Sequence, residues 1–282
     1  MSQFTDPERL GISGKVVAQC LDEGRPALVG YLPVGYPSVA DSISAVKAIT
    51  EGTSGRGVDI VEVGIPYSDP LMDGLVIQNA TTKARARGVR TRDAFRAVEA
   101  VAQAGATAMV MTYWNLVEAY GPDAFARDLA NAGGAGTITP DLPPDDCPEW
   151  FEATDAHGLD RVFLIAPSST AERIALTMQS CRGWVYASSV MGVTGTRDAT
   201  SDAAPVIVER ARSVDATLPV GIGLGVSNGD QAAEIGSFAD LVIVGSALLK
   251  CLDSDGMDLQ NDLARLRELT DDLTRGVDRA RA

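Results

Sequence analysis

Histidine is almost absent from this chain: the 282 residues contain one, His157. It stands at an expected helix end before Gly158, where an imidazole meets the negative end of the helix dipole, and is read as structural. Cysteine is scarce and scattered. Cys20, Cys147, Cys181 and Cys251 form no C-x-x-C pair, which excludes a zinc site or a disulfide framework and suits a reducing compartment. With one imidazole and dispersed thiols, no metal site is expected. Basic residues are outnumbered, 24 Lys and Arg against 38 Asp and Glu. The net charge of −14 excludes a nucleic-acid binder and disfavours an anionic membrane. It does not exclude an anionic small molecule, because backbone amides bind phosphate locally. Long apolar runs are missing too. The longest, around 241–249, is too short to span a bilayer, and the first ten residues, MSQFTDPERL, lack a signal peptide's apolar core. A cytoplasmic protein is expected.

What is present is a normal globular composition, 45% hydrophobic and 22% charged. No Pro- or Ser-rich linker, low-complexity tract or charge block divides it, so one domain over 1–282 is expected. A helix over 7–23 precedes an alternation of strands and helices. Strands are expected at 27–32, 58–63, 108–112, 136–139, 161–165, 184–187, 219–223 and 241–244. Helices fall between them, near 39–50, 76–85, 92–104, 123–130, 145–156, 171–179, 203–212 and 229–235. Leu259, Leu263, Leu266, Leu269 and Leu273 then mark the apolar stripe of a last helix. Strand runs such as LVIV and RVFLI are almost wholly apolar, as in a parallel sheet covered on both faces. The pattern predicts a (β/α)8 TIM barrel with an additional N-terminal helix. The open doubly wound alternative lacks its G-x-G-x-x-G turn, since the first strand runs into YLPVGYPS.

The most informative segment is VDIVEVGIPYSDPLMDG, residues 58–74. Side chains alternate along a strand, so Ile60 and Glu62 share one face while Val61 and Val63 share the other. If the valines face covering helices, Glu62 points to the opposite side, where an idle carboxylate is expensive. Asp73 follows in the loop, in an Asp-Gly pair that is also a common turn. Two acids on one strand-and-loop unit allow two separate proton roles. Gly223-Leu224-Gly225 closes the seventh strand, with Ser227 expected as the next helix N-cap, and Gly245-Ser246 closes the eighth. In a barrel these two turns are the usual phosphate grip. The long sixth loop, 188–201, is a lid candidate or an ordinary mobile loop. Trp114, Trp150 and Trp184 are assigned to packing, and Tyr186, at a strand end, to a pocket wall.

These blocks together resemble the tryptophan synthase alpha subunit family through nearly the whole chain. The anchors are GYLPVGYP (30–37), VEVGIPYSDPLMDG (61–74), MTYWN (111–115), PDLPPDD (140–146), YASSVMGVTG (186–195), GIGLGVS (221–227) and VGSALLK (244–250). The resemblance implies a lyase that cleaves indole-3-glycerol phosphate to indole and glyceraldehyde 3-phosphate, with no cofactor or metal in this chain. Glu62 matches the family's general acid and its base on the glycerol hydroxyl. Asp73 matches the acid that accepts the indole N–H. Tyr186 matches a tyrosine beside the catalytic Glu, and Thr194 the loop residue that holds the second acid when the lid closes. Gly195, Gly223, Gly225, Gly245 and Ser246 match the phosphate grip; Tyr31 and Leu224 match positions that line the indole pocket. The resemblance further implies docking on a pyridoxal-phosphate beta subunit in an α2β2 complex, through Pro66, Asp69, Pro70 and Asn115.

The chain also departs from the family. Many members carry Thr and Asp at Pro33 and Tyr36, an Arg-Ser pair at Val190-Met191, and proline at Leu75. Competing readings are another phosphate-binding barrel isomerase, a non-catalytic partner protein, and a lyase working without a beta subunit. The isomerases usually place an acid or thiol at the end of strand one, where this chain has Tyr31-Leu32-Pro33.

Overall fold

The computed structural model describes residues 4–70, 72–188, 203–223 and 225–281. Two short helices, α1 (Pro7–Leu10) and α2 (Ser13–Asp22), stand where one was expected. The break falls at Gly11, whose φ of +53° lies in the left-handed region. Asp160 fixes the restart of the chain, accepting from the Ser13 N–H and hydroxyl, both at 2.6 Å.

The strands are β1 (Ala27–Pro33), β2 (Ile60–Gly64), β3 (Thr107–Met111), β4 (Gly136–Ile138), β5 (Asp160–Val162), β6 (Leu164–Ile165), β7 (Val185–Ser188), β8 (Val220–Gly223) and β9 (Leu241–Val244). They form one sheet in the order β5-β4-β3-β2-β1-β9-β8-β7-β6, and every described pair is parallel. β5 and β6 are halves of the single strand expected at 161–165, interrupted at Phe163. One half pairs with β4 and the other with β7, so nine strands less one interruption make an eight-stave ring. The Phe163 carbonyl still accepts from the Tyr186 N–H at 3.1 Å, keeping the seam joined. The fold is a TIM barrel.

The helices follow the strands as a parallel ring requires. They are α3 (Val39–Glu51), α4 (Leu75–Ala86), α5 (Thr91–Gln103), α6 (Trp114–Tyr120), α7 (Pro122–Asn131), α8 (Pro148–Ala156), α9 (Ala171–Ser180), α10 (Ala203–Val214), α11 (Gly229–Gly236), α12 (Ser246–Lys250) and α13 (Leu259–Arg279). Helix α6 was not anticipated. It is short, and its first N–H groups are served from outside: Trp114 N–H donates to the Asp141 carboxylate at 2.9 Å. The buried stripe of α13 is also rotated from the leucine pattern. Asp262, Leu266, Thr270, Leu273 and Val277 face inward, while Leu263 and Leu269 are only partly buried. The two buried polar types are satisfied. Asp262 meets Arg265 at 2.6 Å, and the Thr270 hydroxyl donates to the Leu266 carbonyl at 2.8 Å.

Two apolar layers result. Val61 and Val63 pack outward with the covering helices, whereas Ile60 packs inside the ring with Val29, Met109 and Trp184. Helix α2 presses Val17 and Cys20 into that inner layer and plugs the N-terminal end of the barrel. The C-terminal end is left to the site. Among the described residues, no helix is long and apolar enough to cross a membrane.

Candidate active site

Strand alternation decides where Glu62 goes. Ile60 is committed to the inner layer, so Glu62, two residues on, also points into the ring, one step nearer its C-terminal mouth. In the parallel register it stands opposite Tyr31 of β1 and Met109 of β3. A cavity of about 270 Å³ opens above this layer. Glu62 is 1% exposed and its Oε1 has no hydrogen-bond partner among the described residues. Burial without compensation pushes its carboxyl up to about 8, so at neutral pH it is mostly protonated.

Asp73 reaches the same cavity from the loop after β2. The loop is held at its end by Gln78 of α4, whose amide donates to the Asp73 carbonyl at 2.7 Å. Burial raises the Asp73 carboxyl to about 6, and the nearby Tyr113 hydroxyl opposes the rise. Asp73 therefore remains largely ionised at pH 7 while Glu62 keeps its proton. Two acids of similar intrinsic strength are thus driven apart by their surroundings.

Tyr31 and Tyr186 complete the polar floor. Burial, then the nearby Glu62 and Asp73 carboxylates, raise both phenols, which stay neutral. Each ring depends on a missing side chain. A β-carbon at Gly64 would overlap the Tyr31 phenol, and one at Gly223 would overlap that of Tyr186. The glycine at 223 therefore makes room for a floor residue as well as baring backbone.

The far wall of the cavity is built from the turns after β8 and β9, including Gly223, Gly225, Gly245 and Ser246. Gly225 has φ +55°, which favours glycine at the turn. Gly245 is the N-cap of α12 and Ser246 its first residue, so unpaired amides face this end. The N-cap of α11 is Asn228, not Ser227. Asn228 Oδ1 accepts the Gln231 N–H at 2.9 Å, whereas Ser227 donates its N–H and hydroxyl to Gln231 Oε1. Lys250, one turn into α12 from Ser246, is the cationic side chain lining the cavity among the described residues. Between the two ends the walls are apolar, with Ile77, Met111, Leu164 and Ile243 among them. The cavity is thus lined by an acidic pair, two glycine turns and a lysine, with apolar walls between.

The structure thus unites Tyr31, Glu62, Asp73, Tyr186, Gly223, Gly225, Gly245 and Ser246 around one space. Thr194, Gly195, Leu224 and the Val190-Met191 pair lie outside the described residues. Of the expected partner contacts, Asp69 and Asn115 are exposed, Pro70 is half-buried, and Pro66 is buried within its own chain. Sequence reasoning missed Lys250, which lies four residues after Ser246 on the same helix face, a signal that was readable.

Residues 17–278 match the family model described as tryptophan synthase alpha chain. The alpha chain of Mycobacterium ulcerans is 57% identical over 264 residues, covering 94% of this chain and 94% of that relative. A solved Mycobacterium tuberculosis tryptophan synthase structure superposes with a TM-score of 0.88 at 53% identity, covering 95% of this chain and 98% of that one. An alpha subunit from Pyrococcus furiosus, at 28% identity, still gives a TM-score of 0.79 over 89% of this chain and 98% of its own. With this coverage, the chain belongs to the tryptophan synthase alpha chain family, lyases of the indole-3-glycerol phosphate cleavage reaction.

Proposed function

We propose that Glu62 and Asp73 divide the proton chemistry of this cleavage in the cavity described above. The reaction breaks the bond between the indole C3 carbon and the carbinol carbon of the glycerol chain. Indole is a poor carbanion leaving group, so the ring carbon must be protonated first. Glu62, neutral at working pH, gives its proton to C3 and generates an indolenine that can accept the electrons of the breaking bond. The resulting carboxylate takes the proton of the carbinol hydroxyl as that carbon becomes an aldehyde. The bonding pair returns to the ring, indole and glyceraldehyde 3-phosphate separate, and Glu62 is protonated again. Asp73, ionised, accepts the indole N–H and stabilises the positive charge that grows on nitrogen. The glycine turns and Ser246 hold the phosphate through backbone N–H groups, with Lys250 adding charge at the rim. No step calls on a cofactor in this chain.

The observation that carries the reading is the unpartnered, buried carboxyl of Glu62 opening on a space that Asp73 and the glycine turns share. It is tested by cleavage assays on the wild type and Glu62→Gln. Removing the proton donor is expected to reduce turnover by roughly 10²-fold or more while phosphate-dependent binding survives. A fully active Glu62→Gln variant would rule the mechanism out.

The partner follows from the same loop. Asp69 and Asn115 are exposed, and two apolar side chains beside Asp73 face solvent, Met72 at 37% and Leu75 at 73%. We assign this face to a pyridoxal-phosphate-bearing beta subunit in an α2β2 assembly. Docking there would order the loop that carries Asp73 and so set the second acid. Turnover measured with and without the beta subunit tests the coupling, and identical rates would remove it.

A further inference from the structure

We propose that Gln231 of α11 is the positioning residue of the turn after β8: it takes up the Ser227 amide and leaves those of Gly225 and Val226 to meet an anion. The proposal rests on the cleavage reading above for the identity of that anion, the phosphate of the substrate.

Gly223, Gly225, Val226 and Ser227 line the cavity, and Gln231 is not one of its lining residues. It acts on the turn through Ser227. Gln231 Oε1 accepts twice from that residue, from the N–H at 2.8 Å and from the hydroxyl at 2.9 Å. An amide that donates to Gln231 is lost to a ligand, and the peptide plane carrying it is fixed. The Val226 side chain pins the turn from its other side, 3% exposed in the outer apolar layer. Gly225, at φ +55°, makes the bend between β8 and this anchored pair. Among the described residues, the Gly225 and Val226 N–H groups donate to no backbone carbonyl. Successive amides left unpaired at such a bend form an anion-binding concavity.

Helix capping alone does not account for the contact. Gln231 is the third residue of α11 after the N-cap Asn228. In a capping box its side chain would accept from the N-cap amide. Here it reaches one residue further, to Ser227 in the turn. Its own position is set by the outer helices. Asn228 Oδ1 accepts the Gln231 N–H at 2.9 Å, and the Gly229 N–H donates to Asp272 Oδ2 of α13 at 2.6 Å. A β-carbon at Gly276 of α13 would overlap the Gly229 carbonyl oxygen, so the two helix backbones touch there. The first turn of α11 is thus fastened to α13, and Gln231 carries that frame to the phosphate turn.

Gln231→Met keeps the length of the side chain and removes the acceptor. In the full-length chain, KM for indole-3-glycerol phosphate is expected to rise about 3- to 10-fold with far less change in kcat, because the phosphate is held alike in ground state and transition state. Inorganic phosphate, followed through the Gly225 and Val226 amide signals by nitrogen-15 NMR, should bind more weakly by a similar factor. Indole, which carries no phosphate, should inhibit both forms equally. Ser227→Ala on the Gln231→Met background should add almost nothing, since the hydroxyl acts through Gln231. The proposal is overturned by a KM that does not move, by an equal loss of affinity for indole, or by losses that multiply in the double variant. Gly225 and Val226 signals that ignore phosphate in the wild type would overturn it as well. The NMR arm needs no turnover. If the wild type failed to cleave indole-3-glycerol phosphate while phosphate binding still depended on Gln231, the cleavage reading would fall and the positioning role would stand.

Discussion

No β-carbon fits at Gly223, because it would overlap the phenol oxygen of Tyr186 on the neighbouring strand. After the oxygen, the nearest ring atom would lie 3.0 Å away, so the conflict is mainly with one atom. Gly223→Ala is therefore expected to destabilise the barrel by about 1–3 kcal/mol through overpacking. Tyr186→Phe in the same chain should recover much of that loss. Chemical denaturation of the single and double variants checks this, and additive losses would show that the glycine is needed for its backbone alone.

The opposed acids dictate a bell-shaped pH dependence. Glu62 must be protonated to act, and its carboxyl titrates at about 8, so turnover falls as pH rises through that value. Asp73 must be ionised, and it titrates at about 6, so turnover falls as pH drops below that. A plateau near neutrality follows, with tenfold loss per unit on either side. These values belong to the ligand-free chain, so the bell is read in kcat/KM, where the substrate phosphate, titrating at about 6, adds to the acid limb. A rate that kept rising to pH 9 would show that Glu62 does not deliver a proton.

Burying Glu62 makes the fold weaker as pH rises. Its carboxyl goes from an ordinary 4.5 to about 8 on folding, so between those values the folded chain holds a proton that the unfolded chain has released. Stability then falls with pH across that window, by something on the order of 4 kcal/mol in all. Glu62→Gln removes the dependence. The variant should match the wild type near pH 4 and unfold at a clearly higher temperature at pH 8, the familiar exchange of activity for stability. Thermal unfolding at the two pH values decides it; a difference independent of pH would mean that Glu62 titrates normally in the folded chain.

Much of this architecture was legible because parallel barrel strands are covered on both faces, so LVIV announces itself through continuous apolarity and VEVG through the valines that flank Glu62. The placement of Glu62 followed from the same geometry, since Val61 and Val63 had to meet helices. What escaped notice depends on contacts remote in sequence. The interruption at Phe163 arises where one strand must pair with β4 on one side and β7 on the other. Helix α6 begins on a carboxylate from Asp141, twenty-seven residues away. The inward face of α13 includes Asp262 and Thr270, which a leucine pattern cannot reveal because their partners, not their hydropathy, permit burial. Asp73 was readable as half of a turn and, beside Glu62, as the second acid of one strand-and-loop unit; its burial was not.

The chain bears a net charge of −14 and its cavity contains two carboxyl groups, yet the substrate it must draw in is a phosphate ester. Backbone amides supply direction at the glycine turns, but only partial charge. Lys250 adds a whole positive charge at that end, on an exposed stem one turn beyond Ser246. Exposure limits its effect through solvent and salt screening. Lys250→Met is therefore expected to raise KM for indole-3-glycerol phosphate by only about 3- to 10-fold, with kcat little changed, because the charge acts on ground state and transition state alike. Added salt should raise KM in the wild type more than in the variant, and Lys250→Arg should restore both affinity and salt dependence. An unchanged KM at low ionic strength would leave the phosphate to the amides alone.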